Sequence, residues 1–211
     1  MIYSVHDIMR DVRVCLDQNM TSEQLIKTGD VDSLALDDII RSKIPEAVER
    51  VHCSAPTHLL ELGHNFGEAV FWGDQESGWV LLPDDFMRLI VFEMSDWERG
   101  VSTVILPTDA EYAMQRQRIK ALRGTSQRPV CAVVMRPEGR ALEFYSCKSE
   151  EAYVRRAQYV PYPKIDADDG IDISERCYTA VVYAAASLVA LTLGETEKSS
   201  IFSEISKTAL Q

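Results

Sequence analysis

Apolar residues recur every three or four positions at the start of the chain, at Val5, Ile8, Met9, Val12 and Leu16. That spacing predicts an amphipathic helix over about 4–18. Ser4-x-x-Asp7 gives it a capping start, with the hydroxyl accepting from an early N–H and the acid meeting the positive end of the helix dipole. Thr21 to Ile26 adds a short turn, which Gly29-Asp30 breaks. A longer pattern over 36–54 sets Leu36, Ile39, Ile40, Ile44, Ala47, Val48 and Val51 on one face against charged residues on the other. Pro45 lies inside it and removes one backbone donor, which predicts a kink near Arg41 to Ile44. From His58 to Gly78 the periodicity fades into a loop punctuated by glycines and aromatic residues, with at most short strands.

Trp79 to Leu82 is extended and apolar, and Pro83 biases the residue before it toward β. Phe86, Leu89, Ile90, Met94 and Trp97 then fall at helical spacing and predict a third helix over 84–98. Thr108-Asp109 can cap a fourth, running through Tyr112, Arg116, Ile119 and Leu122 to Gly124. Val130 to Met135, Ala141 to Cys147 and Tyr153 to Tyr162 read as three strands of an antiparallel meander, with a turn at Pro137-Glu138-Gly139. A helix from Asp172 to about Leu193 stops at Gly194, and a last one over 196–210 carries Ile201, Ile205 and Ala209 on one face. The expected fold is α+β but mostly α. A helical bundle over 1–128 and 165–198 carries a small inserted antiparallel β meander or sandwich at 129–164 and a C-terminal helical extension at 199–211.

Composition changes this picture little: 211 residues with 46% hydrophobic and 26% charged content make an ordinary globular chain. Charge changes it more. Lys and Arg number 22 against 33 acids, a formal net charge of −11, which disfavours tight binding to nucleic acid by phosphate neutralisation. The five cysteines, Cys15, Cys53, Cys131, Cys147 and Cys177, are odd in number, widely spread and without a CxxC pair, as expected of reduced thiols. No basic segment followed by an apolar one opens the chain, so no signal peptide is expected. Cys177 to Gly194 is uncharged over 18 residues, near the lower limit of a membrane span, but its five alanines and several hydroxyls suit a buried central helix better.

The candidate chemistry is sparse. His52, Cys53, His58 and His64 form the only cluster of potential metal ligands, a weak one because it has neither CxxC nor HxxxH spacing. No nucleophile elbow, SxxK or phosphate-cradling glycine loop occurs, so no catalytic residue and no cofactor is expected. The acid pairs Asp84-Asp85 and Asp168-Asp169 fit helix starts or turns. Arg116, Arg118, Lys120, Arg123 and Arg128 concentrate positive charge, as a solvated face or as a patch meeting an acidic partner or a DNA backbone.

The order of parts is more informative: two helices, Leu82-Pro83-Asp84-Asp85-Phe86 leading into Leu89 and Ile90, then Tyr159-Val160-Pro161-Tyr162-Pro163, then Asp172-Ile173 followed by Tyr178, Val181, Tyr183, Ala184 and Ala185. This order resembles the head-to-tail connector adaptors of tailed bacteriophages, including the ring proteins of crAss-like phages. The resemblance implies a non-enzymatic virion protein that forms a ring of twelve copies, docks on the portal protein through its C-terminal helix, and carries the tail or a second ring protein. Genomic DNA would pass through the channel without specific binding, and no membrane is involved. The interface candidates on this reading are Trp72, Trp79, Arg116, Arg123, Ile201, Phe202, Ile205 and Leu210. A small metal- or thiol-dependent enzyme, or a helical regulatory protein that binds one partner, are the alternatives.

Overall fold

The computed structural model describes residues 1–16, 36–73, 76–117, 119–166 and 170–211. In chain order the elements are β1 (Ile2–Tyr3), α1 (Val5–Cys15), α2 (Leu36–Ser54), β2 (Phe71–Trp72), β3 (Ser77–Leu81), β4 (Phe86–Met94), α3 (Ala110–Gln115), β5 (Val130–Arg136), β6 (Gly139–Tyr145), β7 (Val154–Pro161), β8 (Ile165–Asp166), β9 (Gly170–Asp172), α4 (Tyr178–Thr192) and α5 (Thr196–Thr208). They fall into two compact units, one made of Met1–Glu61 with Tyr162–Gln211 and the other of Leu62–Pro161. The turn expected at Thr21 to Ile26 and the break at Gly29-Asp30 lie outside the described residues, as does the Asp168-Asp169 pair.

The first unit is built around α4. Its buried positions include Ala180, Val181, Ala185, Ala186, Val189 and Ala190, and α1, α2 and α5 all pack against it. Small side chains let neighbouring backbones come close enough for direct hydroxyl-to-carbonyl bonds. Ser206 Oγ donates to the Ala180 carbonyl at 2.8 Å, and Ser187 Oγ donates to the Ser199 carbonyl at 2.8 Å. The segment expected as a C-terminal helical extension, 199–211, thus packs on α4 beside α1 and α2, with Ser199, Ser206 and Leu210 buried. Ser4 caps α1 by accepting from the His6 N–H at 3.2 Å, and α2 runs unbroken through Pro45. Gly194 (φ +82°) ends α4, where the backbone must turn left-handed.

Beside these helices β1, β9 and β8 form a small antiparallel sheet in that order, with Ile2 opposite Asp172 and Tyr3 opposite Ile171. Gly170 (φ +110°) is required there, since a Cβ would lie 2.6 Å from the Tyr3 carbonyl oxygen. The terminal amino group closes the edge on Asp172 at 2.8 Å, and Tyr178 stacks on Tyr3 while donating to Asp11 at 2.7 Å.

The second unit overturns the expectation of a mostly helical bundle. Leu62–Pro161 holds a four-stranded sheet, β2-β3-β6-β5, and a separate pair, β4-β7, all antiparallel. The stretch expected as a helix over 84–98 is β4. Its register on β7 shifts between Phe86 and Arg88, between Leu89 and Val91, and between Glu93 and Met94. Each irregularity inserts residues into one strand, so the inward positions become Phe86, Leu89, Phe92 and Met94. A strand with spacing three imitates the helical period, which is the physical reason for the misreading.

The expected three-stranded meander is also corrected. β5 and β6 form a hairpin, but β7 pairs with β4 and not with β6. The fourth helix starts behind Asp109 as expected but shrinks to the six residues of α3, and the Asp109 carboxylate accepts from the Leu106 N–H at 2.7 Å instead of capping it.

The core of this unit gathers Phe66, Val80, Phe86, Phe92, Trp97, Leu142, Phe144 and Tyr159. Phe92 sits at its middle, fully buried, with ring centroids 5.7 Å from Phe144, 5.8 Å from Trp97 and 6.1 Å from Phe66. Truncating it leaves a cavity among rigid rings, so Phe92→Ala is expected to cost about 3–5 kcal/mol. Met135→Ala, at a side chain 80% exposed, is expected to stay within about 0.5 kcal/mol of the parent. Denaturant unfolding followed by tryptophan fluorescence checks both, and equal midpoints would contradict this placement of the core.

Candidate functional site

The histidines and cysteine flagged as possible metal ligands are not assembled. His52 is buried on α2, and its Nδ1 lies 2.9 Å from the Val48 carbonyl. Burial pushes its pKa down, so it is held as the neutral ring. Cys53 and His58 are exposed, while His64 belongs to the other unit and is exposed there. Among the described residues no three His, Cys, Asp or Glu side chains are placed to hold a metal ion. Burial also raises the thiol pKa of Cys15, Cys131, Cys147 (to about 12) and Cys177. A nucleophilic thiolate needs the opposite shift.

The aromatic interface candidates pack within their own unit. Trp72 meets Phe144 edge-on at 5.7 Å, and Trp79 stacks on Phe71 at 5.6 Å. The basic residues from 116 to 128 do not share a helix face, because α3 ends at Gln115. Arg118 and the Lys120 side chain lie outside the described residues. Arg123 borders a separate cavity with Lys148, and Arg116 joins a cluster that the sequence reading did not assemble.

That cluster centres on Glu143. On β6 the side chains alternate, with Leu142 and Phe144 facing the aromatic core and Ala141, Glu143 and Tyr145 facing the other side. A carboxylate buried in a strand needs partners for its lone pairs. Glu143 Oε2 accepts from Tyr145 at 2.6 Å and from Tyr112 at 3.0 Å, while Oε1 accepts from Arg136.

Each partner is delivered by a different element. Tyr112 comes from α3, Arg136 from the end of β5, and Tyr145 from β6 itself. Trp79 is the cross-strand neighbour of Glu143 on β3, and the Arg136 guanidinium lies over its ring at 3.8 Å. Arg116 bonds to the Tyr112 hydroxyl at 2.5 Å and comes within 3.9 Å of Glu143. Gln115 fastens α3 in place by accepting from the Gly124 N–H at 2.8 Å. A cavity of about 370 Å³ opens beside this group. The one sequence signal was a lone acid between Leu142 and Phe144 in an apolar strand; its partners at 112 and 136 required the tertiary fold.

The second candidate is a surface. On α5 Ile201 is 59% exposed and Ile205 37% exposed, with Ser200, Glu204, Thr208 and Ala209 around them. Phe202 turns inward onto Tyr183 at 6.1 Å, and Leu210 is buried. Of the four C-terminal interface candidates, two therefore face outward and two hold the helix down. No helix among the described residues is long and apolar enough to cross a membrane. No protein-family model matches the sequence, and comparison with curated proteins finds no match.

The Glu143 cluster makes an alkaline signature. Burial, followed by the bond to Glu143 and its charge, raises the pKa of Tyr112 and Tyr145. Burial and the Asp85 carboxylate push Tyr159 up to about 12, and burial with Asp11 raises Tyr178. In each case the folded value exceeds the unfolded one near 10. The stabilisation from these groups is therefore complete below pH ~10 and is lost as pH rises through the folded values. Ultraviolet titration of tyrosinate is expected to show these four ionising at higher pH in the folded protein than in the unfolded one. Glu143→Gln is expected to bring Tyr112 and Tyr145 partway down, with burial retaining the remainder. Titration of all eight tyrosines as one class near pH ~10 in folded protein would contradict it.

Proposed function

We propose that the chain is a non-enzymatic virion structural protein of a tailed phage, a ring-forming head-to-tail connector that docks on the portal protein and carries the tail while the genome passes through its channel. The observation that carries this reading is the outward row of Ile201 and Ile205 on α5, a helix whose inner side is already spent on α4. Exposed branched side chains side by side on a well-packed helix suit a surface that another protein covers. Charge supports the same surface. α5 carries Glu197 and Glu204 against Lys198 and Lys207, so it is formally neutral in a chain of net charge −11. A neutral strip lets a partner approach without the repulsion the rest of the molecule exerts.

What remains of the order of parts is a β unit between α2 and the closing helices α4 and α5, without the two helices expected at 84–98 and 108–124. Tyr159, Val160 and Pro161 lie in β7, and Ile173 leads toward α4, as in the resemblance. Leu82 to Phe86 leads into a strand, so that stretch no longer contributes to the resemblance. Twelve copies, a virion location and a downstream tail or second ring protein belong to this proposal. In such a ring the acidic surplus would let DNA pass without holding it.

Removing 199–211 would strip a packed wall from α4, so point variants make the cleaner test. Multi-angle scattering or native mass spectrometry at micromolar concentration, with and without portal protein, is expected to show the parent entering a portal-bound ring. The pair Ile201→Asp with Ile205→Asp is expected to lose portal binding by at least tenfold while keeping its helical circular dichroism. A parent chain that stays monomeric and never binds portal, or a variant that docks as well as the parent, would refute the assignment.

A further inference from the structure

Among the described residues, the side chains around the cavity beside Glu143 offer more hydrogen-bond donors than free acceptors. Its wall includes Arg116, Arg136, Glu143, Tyr145, Gln115 and Trp79. The single carboxylate is already occupied, one oxygen by Tyr112 and Tyr145 and the other by Arg136. Two guanidinium groups carry ten N–H donors between them. Arg136 donates to Glu143, and Arg116 donates to the Tyr112 hydroxyl and also meets Tyr145, which leaves most of these donors to spare. Arg136 Nε is buried without a hydrogen-bond partner, and so is Trp79 Nε1. Buried donors without acceptors are costly and uncommon in folded proteins, but these two have no surface open to the cavity, so what the forks can offer a ligand is their terminal N–H groups.

Formal charge points the same way. The described residues lining the cavity carry two positive charges and one negative, a local surplus of +1 in a chain of net charge −11. Stacking on Trp79 and bonding to Glu143 hold the Arg136 fork on two sides, so its remaining donors are oriented before anything binds. Arg116 is 64% exposed on its side chain and stands where it can turn toward an incoming group. A fixed fork and a more exposed cation beside it suit a planar or tetrahedral oxyanion, which two guanidinium groups can engage with paired N–H···O bonds.

We propose that this cavity is a binding site for the oxyanion end of a ligand, a carboxylate or a phosphate group, held between Arg116 and Arg136 with Glu143 and the two tyrosines as the scaffold that positions Arg136. The site lies wholly within the β unit and involves no residue of α5, so its test reads separately from portal docking through that helix.

Thermal unfolding of the full chain in sodium phosphate, sodium acetate and sodium chloride at matched ionic strength tests it, the chloride series accounting for general screening. Phosphate or acetate is expected to raise Tm with the logarithm of its concentration above Kd, by about 3 °C or more at ten times its Kd. Response to phosphate alone assigns a phosphate ligand, and response to acetate assigns a carboxylate. Arg116→Gln, at an exposed side chain, is expected to need at least tenfold more anion for the same rise. Arg99→Gln, an exposed arginine of the same unit away from the cavity wall, should respond like the parent. A response no larger than that of chloride, or one undiminished in Arg116→Gln, would overturn the proposal.

Discussion

An uncharged helix must be covered on nearly every side, and α4 imposes that requirement on the first unit. Its buried alanines and valines gain from burial only if other helices lie close, and their small size permits contact near enough for serine hydroxyls to reach backbone carbonyls across the interface. α1 and α2 meet this need with their own apolar stripes, and α5 completes it with Ser199, Phe202 and Ser206. Once α5 has turned those residues inward, Ile201 and Ile205 are left outside. The exposed row is thus a by-product of the same packing that orders the helix, and the surface proposed to meet the portal is held by the core it covers.

The second unit uses the two faces of one sheet for different purposes. Alternation along β6 sends Leu142 and Phe144 to an aromatic core and sends Glu143 and Tyr145 to the side that α3 caps. The aromatic face supplies burial and shape. The opposite face supplies a buried carboxylate, which is tolerated because two phenols and a guanidinium fill its lone pairs. Loss of either phenol would leave a buried lone pair unsatisfied, and loss of Arg136 would leave the charge without its nearest cation.

Helices with an uninterrupted stripe were legible in the sequence: α1 began at the serine cap, α2 matched its pattern from Leu36 to Ser54, and α4 stopped at its glycine. Each of these signals is local. β4 was not legible, because its irregular register moved the inward positions to Phe86, Leu89, Phe92 and Met94 and imitated a helical period. The pairing of β7 with β4 was hidden for a different reason, since strand partners far apart in sequence leave no local trace. The Glu143 cluster combined both difficulties. Its acid was visible between two apolar residues, but Tyr112, Arg136 and Trp79 come to it only through the sheet register and the seating of α3.

The central claim is that the outer row of α5 is a docking surface while its inner row belongs to the fold. Hydroxyl-radical footprinting of the protein, free and mixed with portal protein, reads the two rows separately. Protection confined to Ile201 and Ile205, with Phe202 and Leu210 shielded equally in both states, is the expected result. Labelling of Ile201 and Ile205 that is unchanged by portal protein, under conditions where binding is otherwise detected, would contradict it.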